Sequence, residues 1–246
     1  MLHREVAPGV HRIEHAVVNC YLVEDDDGVT VVDAGLPAVW PHLGRALRAV
    51  GRRPSEVRAL VLTHAHFDHV GVARRLQARL GVPVWAHEAE KRLVAHPYRY
   101  AHESVRGVYP LRYPASIPLL ARMAAAGALW VRGTAAGQTL APGAEVPVPG
   151  RPRVVFSPGH TYGHCALHLP DRGALLSGDA LVTLDPYTGR TGPRIVAGAA
   201  TADSAQALSS LDALADTGAA VVLPGHGEPW PDAAAAAAAA RAAGPA

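Results

Sequence analysis

Four side chains able to bind a metal ion stand within six residues in the segment Thr63-His64-Ala65-His66-Phe67-Asp68-His69. The segment directly follows the apolar run Ala59 to Leu62, which reads as a short buried strand. His64 and His66 alternate with Ala65, so an extended backbone aims both imidazoles to one side. Asp68 and His69 fall where the chain turns into the following helix and are free to face a second point. One short loop can therefore serve two neighbouring cations. Neutral imidazole and carboxylate suit zinc first, with iron or manganese also compatible. A lone histidine is more often structural, and a pair two residues apart arises easily in a chain with 14 histidines. The full His-x-His-x-Asp-His spacing straight after a strand does not. Three further strand-end segments carry donors: Ser157-Pro158-Gly159-His160, Ser177-Gly178-Asp179 and Pro224-Gly225-His226-Gly227. Their glycines permit close backbone approach. Adding His160, Asp179 and His226 gives five histidines and two aspartates, a set that suits two divalent metal ions sharing a carboxylate and a hydroxide.

Two metals roughly 3.5–4 Å apart polarise a carbonyl, acidify a bridging water and stabilise a leaving oxygen or sulfur. The bridging hydroxide is then the nucleophile, and no serine or cysteine is required. Asp68 is the candidate to orient that nucleophile or relay its proton while remaining a ligand. A small-molecule ester, thioester or lactone fits this chemistry. A metal-dependent phosphodiesterase or nuclease is a rival reading, and it requires salt-dependent nucleic-acid binding. A non-catalytic metal-binding protein that keeps the ligands without turnover is another.

The order Asp33, His64-x-His66-x-Asp68-His69, His160, Asp179, His226 resembles the metallo-β-lactamase superfamily, from Asp33 to His226. The run Pro158-Gly159-His160-Thr161-Tyr162-Gly163-His164 is similar to its glyoxalase II-like branch in particular. The resemblance implies His64, His66 and His160 on a first metal, Asp68, His69 and His226 on a second, and Asp179 bridging. It also implies an α/β fold, the four-layer αββα sandwich with metals at one edge. Asp33, before Ala34-Gly35, is then a partner for the free N–H of a ligand histidine, and His164 belongs with it as a supporting residue. Tyr162, two residues after His160, and Tyr187, in the segment that follows Asp179, are candidate pocket residues.

The elements that must position these residues are short. Strands are expected at Val10 to Glu14, Asn19 to Val23, Val29 to Val32, Ala59 to Leu62 and Val82 to Ala86. In the second half they are expected at Arg153 to Phe156, Cys165 to Leu169, Ala174 to Leu176 and Ala219 to Leu223. The spacing predicts helices over Ala38 to Val50, Val70 to Leu80 (stopping at Gly81), Ala202 to Ala215 and the alanine run Ala233 to Ala240. Residues 97–140 break this rhythm with Pro97, Pro110, Pro114 and Pro118 and a helical patch from Leu119 to Trp130. They read either as a solvated surface excursion of one domain spanning 1–246 or as a partly helical lid inserted into it. Its arginines would favour an anionic substrate, and Leu119, Leu120, Met123 and Trp130 would form an apolar wall.

The 246 residues are 49% hydrophobic and 18% charged, so a large core is available and global disorder is excluded. The net charge of +2 is too mild to argue for nucleic acid. Two cysteines, Cys20 and Cys165, are too few for a disulfide framework and sit in apolar runs. The N-terminus carries no secretory pattern and no apolar stretch reaches membrane-spanning length, so the expectation is a cytoplasmic protein with a small-molecule substrate.

Overall fold

The central strands are near-continuous apolar runs buried on both faces, so each sheet has one face for a shared interior and the other for helices. The computed structural model describes residues 1–246. Its first sheet runs in the order β1 (Leu2–Ala7), β2 (Val10–His15), β3 (Val18–Asp25), β4 (Gly28–Val32), β5 (Val57–Val61), β6 (Val84–His87), β7 (Gln138–Leu140). The β1–β4 strands pair antiparallel and β4–β7 pair parallel. The second sheet comprises β8 (Arg153–Phe156), β9 (Cys165–Leu169), β10 (Ala174–Gly178), β13 (Val221–Pro224) and β14 (Trp230–Pro231), ordered β14-β13-β10-β9-β8. A separate hairpin pairs β11 (Val182–Leu184) with β12 (Thr191–Arg194).

Three apolar clusters give the layers. Tyr21, Val23, Val32, Ala59 and Val61 from the first sheet meet Val154, Leu167, Leu176 and Leu223 from the second, so the two sheets pack face to face. Leu22, Leu60 and Leu62, one residue out of step, face the other way. There they meet Leu43 and Leu47 of α1 (Trp40–Ala49), Leu76 of α2 (Ala73–Leu80), Val94 of α3 (Lys91–Ala95) and Met123 of α5 (Ile117–Ala125). Leu175 and Val222 likewise face Leu211 and Leu214 of α6 (Ser204–Ala215) and the alanines of α7 (Ala233–Ala243). The order of layers is helix, sheet, sheet, helix.

The 97–140 stretch forms short turns, the four-residue α4 (Tyr109–Arg112) and α5, with a proline in the first turn of each helix, where a missing N–H costs nothing. The predicted helix to Trp130 stops instead at Ala125, with Ala126 as its C-cap, because Gly127 turns the chain with φ +97°. Its last three residues, Gln138–Leu140, are not part of an excursion but an edge strand on β6. Strands β1, β7, β11, β12 and β14 are additional to those expected. Three of them, β7, β11 and β14, have at most three residues, too short to show a period. Both cysteines are buried and free. No helix is long and apolar enough to cross a membrane.

Candidate metal centre

Parallel pairing of β4 with β5, and of β10 with β13, brings the C-terminal ends of four strands to one edge of the sandwich. Asp33 leaves β4 there, and the His64–His69 loop leaves β5. His160 follows β8, Asp179 follows β10 and His226 follows β13. All seven residues of the expected ligand set are buried. Asp179 Oδ2 lies 3.9 Å from His64 Nε2, 3.5 Å from His160 Nε2 and 3.2 Å from His226 Nε2. Its Oδ1 lies 3.5 Å from His69 Nε2, and Asp68 Oδ2 is 3.3 Å from His226 Nε2. His66 Nδ1 and His160 Nε2 approach to 3.0 Å. The donors fall into groups that each fit one cation: His64, His66 and His160; His64, His69 and Asp179; Asp68, His69 and His226.

What stands behind each ring decides which nitrogen it can offer. His69 Nδ1–H donates to Asp33 Oδ2 at 2.9 Å. The Thr63 hydroxyl donates to the same oxygen at 2.9 Å, so its own oxygen is left to accept from His64 Nδ1–H at 3.1 Å. Thr201 donates to the Val196 carbonyl and accepts from His160 Nδ1–H at 3.3 Å. His226 Nδ1–H donates to the Val17 carbonyl at 2.7 Å. Each of these rings therefore turns its Nε2 towards the centre, where a bound cation would take the place of any proton carried there. His64 Nε2, His69 Nε2 and Asp179 Oδ1 are buried without any hydrogen-bond partner, a costly state for protein atoms alone and the state expected of ligand atoms. The residues present fit a divalent pair.

Charge follows the same logic. Burial would raise both carboxyls, but His69 and His226 hold Asp68 and Asp179 below the usual carboxylate range, Asp179 furthest. Burial lowers His64 and His66 well below the ordinary imidazole value and brings His160 to about 4. At His69 and His226 burial is outweighed by Asp179 and its neighbouring carboxylates, so both are raised, His226 to about 10.

A profile of the metallo-beta-lactamase superfamily matches residues 15–226, a span that begins before Asp33 and ends on His226. The chain belongs to the metallo-beta-lactamase superfamily. This is a superfamily of metal-dependent hydrolases that bind divalent metals. The chain is 26% identical over 184 residues to a Bacillus subtilis protein named probable metallo-hydrolase YflN, covering 74% of this chain and 67% of that one. It is 28% identical over 176 residues to a hydroxyacylglutathione hydrolase of Cereibacter sphaeroides, covering 70% of this chain but 53% of that protein. An N-acyl homoserine lactonase AttM of Rhizobium johnstonii is 26% identical over 233 residues, 84% of this chain and 80% of that one. Among solved structures, the Thermus thermophilus family protein TTHA1429 matches with TM-score 0.66 and 29% identity, over 94% of this chain and 77% of that one. TTHA1623, solved in a di-iron-bound form, matches with TM-score 0.63 and 26% identity, over 93% and 96%.

In this superfamily member several supports carry no motif. Arg12, 1% exposed, donates to the Gly227 carbonyl and to Glu228, while Asn19 and Tyr21 donate to the Pro224 carbonyl. Together they hold the loop that bears His226. Their only trace in the sequence is polar residues interrupting strand patterns. Gly225 approaches so closely that an added Cβ would stand 2.1 Å from Asp179 Oδ1 and 2.8 Å from His69 Cε1. His164 is not a donor to the centre. Its Nε2 accepts the N–H groups of Asp179 and Ala180 at 3.0 and 3.2 Å, and its Nδ1–H is met by Ser157 Oγ at 2.9 Å. Tyr162 is 58% exposed and hydrogen-bonds nothing. Tyr187 lies beside Tyr100, whose ring centre is 3.9 Å from that of His66, tilted by 39°, with the Arg106 guanidinium 4.2 Å from the Tyr100 centroid. Neither Tyr100 nor Arg106 is marked by spacing alone. A cavity of about 440 Å³ opens between the Ala16–Val17 turn and α5, lined by Glu14, His15, Ala38, Arg122 and Ala126.

Proposed function

We propose that the chain is a dinuclear metallohydrolase acting on a small carboxylic ester, thioester or lactone. In this reading His64, His66 and His160 hold a first divalent cation, and Asp68, His69 and His226 hold a second. Asp179 lies between them. Zinc is the first candidate, with iron or manganese as alternatives for a nitrogen-and-oxygen donor set. The observation that carries the reading is the set of Nε2 atoms turned inward by fixed acceptors, with Asp179 Oδ1 unpartnered at their centre. Bound there, the cations supply Lewis acidity towards a carbonyl and an acidified water.

The chain's own groups do the remaining work. Asp68, held ionised beside His69 and His226, accepts a proton from the attacking water and fixes its direction. Tyr100 and Phe67 form an aromatic wall at this edge that keeps bulk water away. The names of two relatives, a hydroxyacylglutathione hydrolase and an N-acyl homoserine lactonase, support attack on an acyl carbon.

Elemental analysis of the purified protein, beside a panel of esters, thioesters, lactones and phosphodiesters, tests the reading. Two cations per chain and turnover of an acyl substrate are expected. Asp179→Ala should lose metal and lower kcat/KM by more than about 100-fold, beyond the range for losing a residue behind a ligand. Activity that survived complete demetallation, or turnover of phosphodiesters alone, would overturn it.

A further inference from the structure

Glu90 is 1% exposed and has no cationic side chain to pair with, an expensive place for a carboxylate without a structural or functional reason. It enters from the short turn Glu88–Glu90 that follows β6. Its Oε2 accepts the Ala65 N–H at 2.8 Å, and its Oε1 accepts the Gly163 N–H at 3.0 Å. Ala65 sits between His64 and His66 on the loop from the first sheet. Gly163 sits between His160 and His164 on the loop from the second. One carboxylate therefore ties together the two loops whose His66 and His160 nitrogens face each other 3.0 Å apart. Gly163 is shaped to this contact, because an added Cβ would stand 2.8 Å from Glu90 Cγ and Oε1 and 3.0 Å from Ala89 Cβ.

We propose that Glu90 is a positioning residue that sets the separation of the two loops, and with it the bite of the first cation site. The proposal rests on the ligand assignment given above. A carboxylate is the one side chain of this size that accepts from both N–H groups at once. A glutamine accepts at one oxygen and turns its NH₂ towards the other donor. The loops then part or twist on that side, and the His64, His66 and His160 nitrogens lose their common focus. The second site, built on Asp68, His69 and His226, is held from Asp33 and Val17 instead and does not depend on Glu90.

The test is titration of metal-free protein with Co²⁺ alone, followed by its visible absorption, using His160→Ala as the reference for loss of the first site. Glu90→Gln is expected to weaken the first site by about 10–100-fold and leave the second within about threefold of the parent. Gly163→Ala, which keeps the carboxylate but drives it off its seat, should weaken the same site, and it decides the question if Glu90→Gln does not fold. Both sites at parental affinity in a variant that merely melts earlier would overturn the proposal, as would equal weakening of the two. A parent protein that takes up no cation would overturn the ligand assignment and this role together. Two bound cations without any hydrolysis would overturn the hydrolase reading alone, since the Co²⁺ titration needs no substrate.

Discussion

Each imidazole at the centre is oriented by a different kind of group: a carboxylate behind His69, hydroxyls behind His64 and His160, a main-chain carbonyl behind His226. These acceptors fix ring tautomer and direction, and so should govern metal affinity without touching metal. Thr201→Val keeps the shape of the residue behind His160 and removes its acceptor. First-site affinity should fall about tenfold with the second site unchanged, read by competition against a chromophoric chelator. An unchanged first site would mean that packing alone holds His160. The chemistry was legible in the sequence where a residue acts through its own side chain, as in His64-x-His66-x-Asp68-His69. It was not legible at Val17, which acts through a carbonyl, or at Glu90, which acts through two main-chain N–H groups. His164 was ambiguous for a related reason. An imidazole that ligates and one that accepts N–H groups are the same letter, and only the direction of its neighbours' hydrogens separates them.

Between β2 and β3 the chain reverses through Ala16 and Val17, with His15 opposite Val18 and both turn residues at positive φ, 51° and 63°. A two-residue hairpin of this kind favours Asn-Gly, and a β-branched residue there is strained. The strain sits where the Val17 carbonyl reaches His226, so position outweighs local preference. Ala16→Gly should relieve part of it without moving that carbonyl, raising Tm by about 1–3 °C with metal content unchanged. A lower Tm would show the turn to be unstrained. Elsewhere Glu24 of β3 accepts from Arg52 after α1 at 2.7 Å and from His11 of β2 at 2.9 Å, joining two inner strands of the first sheet to the segment that follows α1. Burial would raise this carboxyl, but the Arg52 and His11 contacts outweigh it and lower its pKa. A lowered folded-state value stabilises above the unfolded value near 4.5 and is lost as pH falls through the folded one. Glu24→Gln should therefore lower Tm at pH 6–7 by about 2–4 °C and converge with the parent in acid, below both values. A difference that persists undiminished in acid would assign the effect to packing. Most strands were readable as short apolar, β-branched runs buried on both faces and bounded by turn residues. Strand β7, with Gln138 and Thr139 exposed, offers no period and is defined by its partner β6.

At the scale of the molecule the donors come from both sheets. The His64–His69 loop belongs to the first, while His160, Asp179 and His226 belong to the second. At this edge the sheets are otherwise joined by few main-chain bonds, such as Cys165 N–H to the Thr63 carbonyl and Asn19 N–H to the Gly225 carbonyl, each near 2.9 Å. On the proposed ligand assignment, a cation held by donors from both sides would be a cross-link between layers as well as a reagent, and it would bind the folded chain alone. With free metal at about 100 times its dissociation constant, each cation contributes about 2.7 kcal/mol, so two contribute about 5 kcal/mol. For a chain of this length that corresponds to about 10–20 °C in Tm. Stripping the protein with a chelator should lower Tm by that amount, and re-addition of Zn²⁺ should restore it. Hydrogen exchange should quicken first in the four strand-end loops, since the α-helical layers pack on faces remote from them. Asp179→Ala separates the cross-link from any general effect of the chelator. It should melt near the stripped parent and show no further fall. If stripping removed both ions and left Tm in place, the interior packing of Val61 against Leu176 and its neighbours would already hold the sheets together, and the ions would serve chemistry alone.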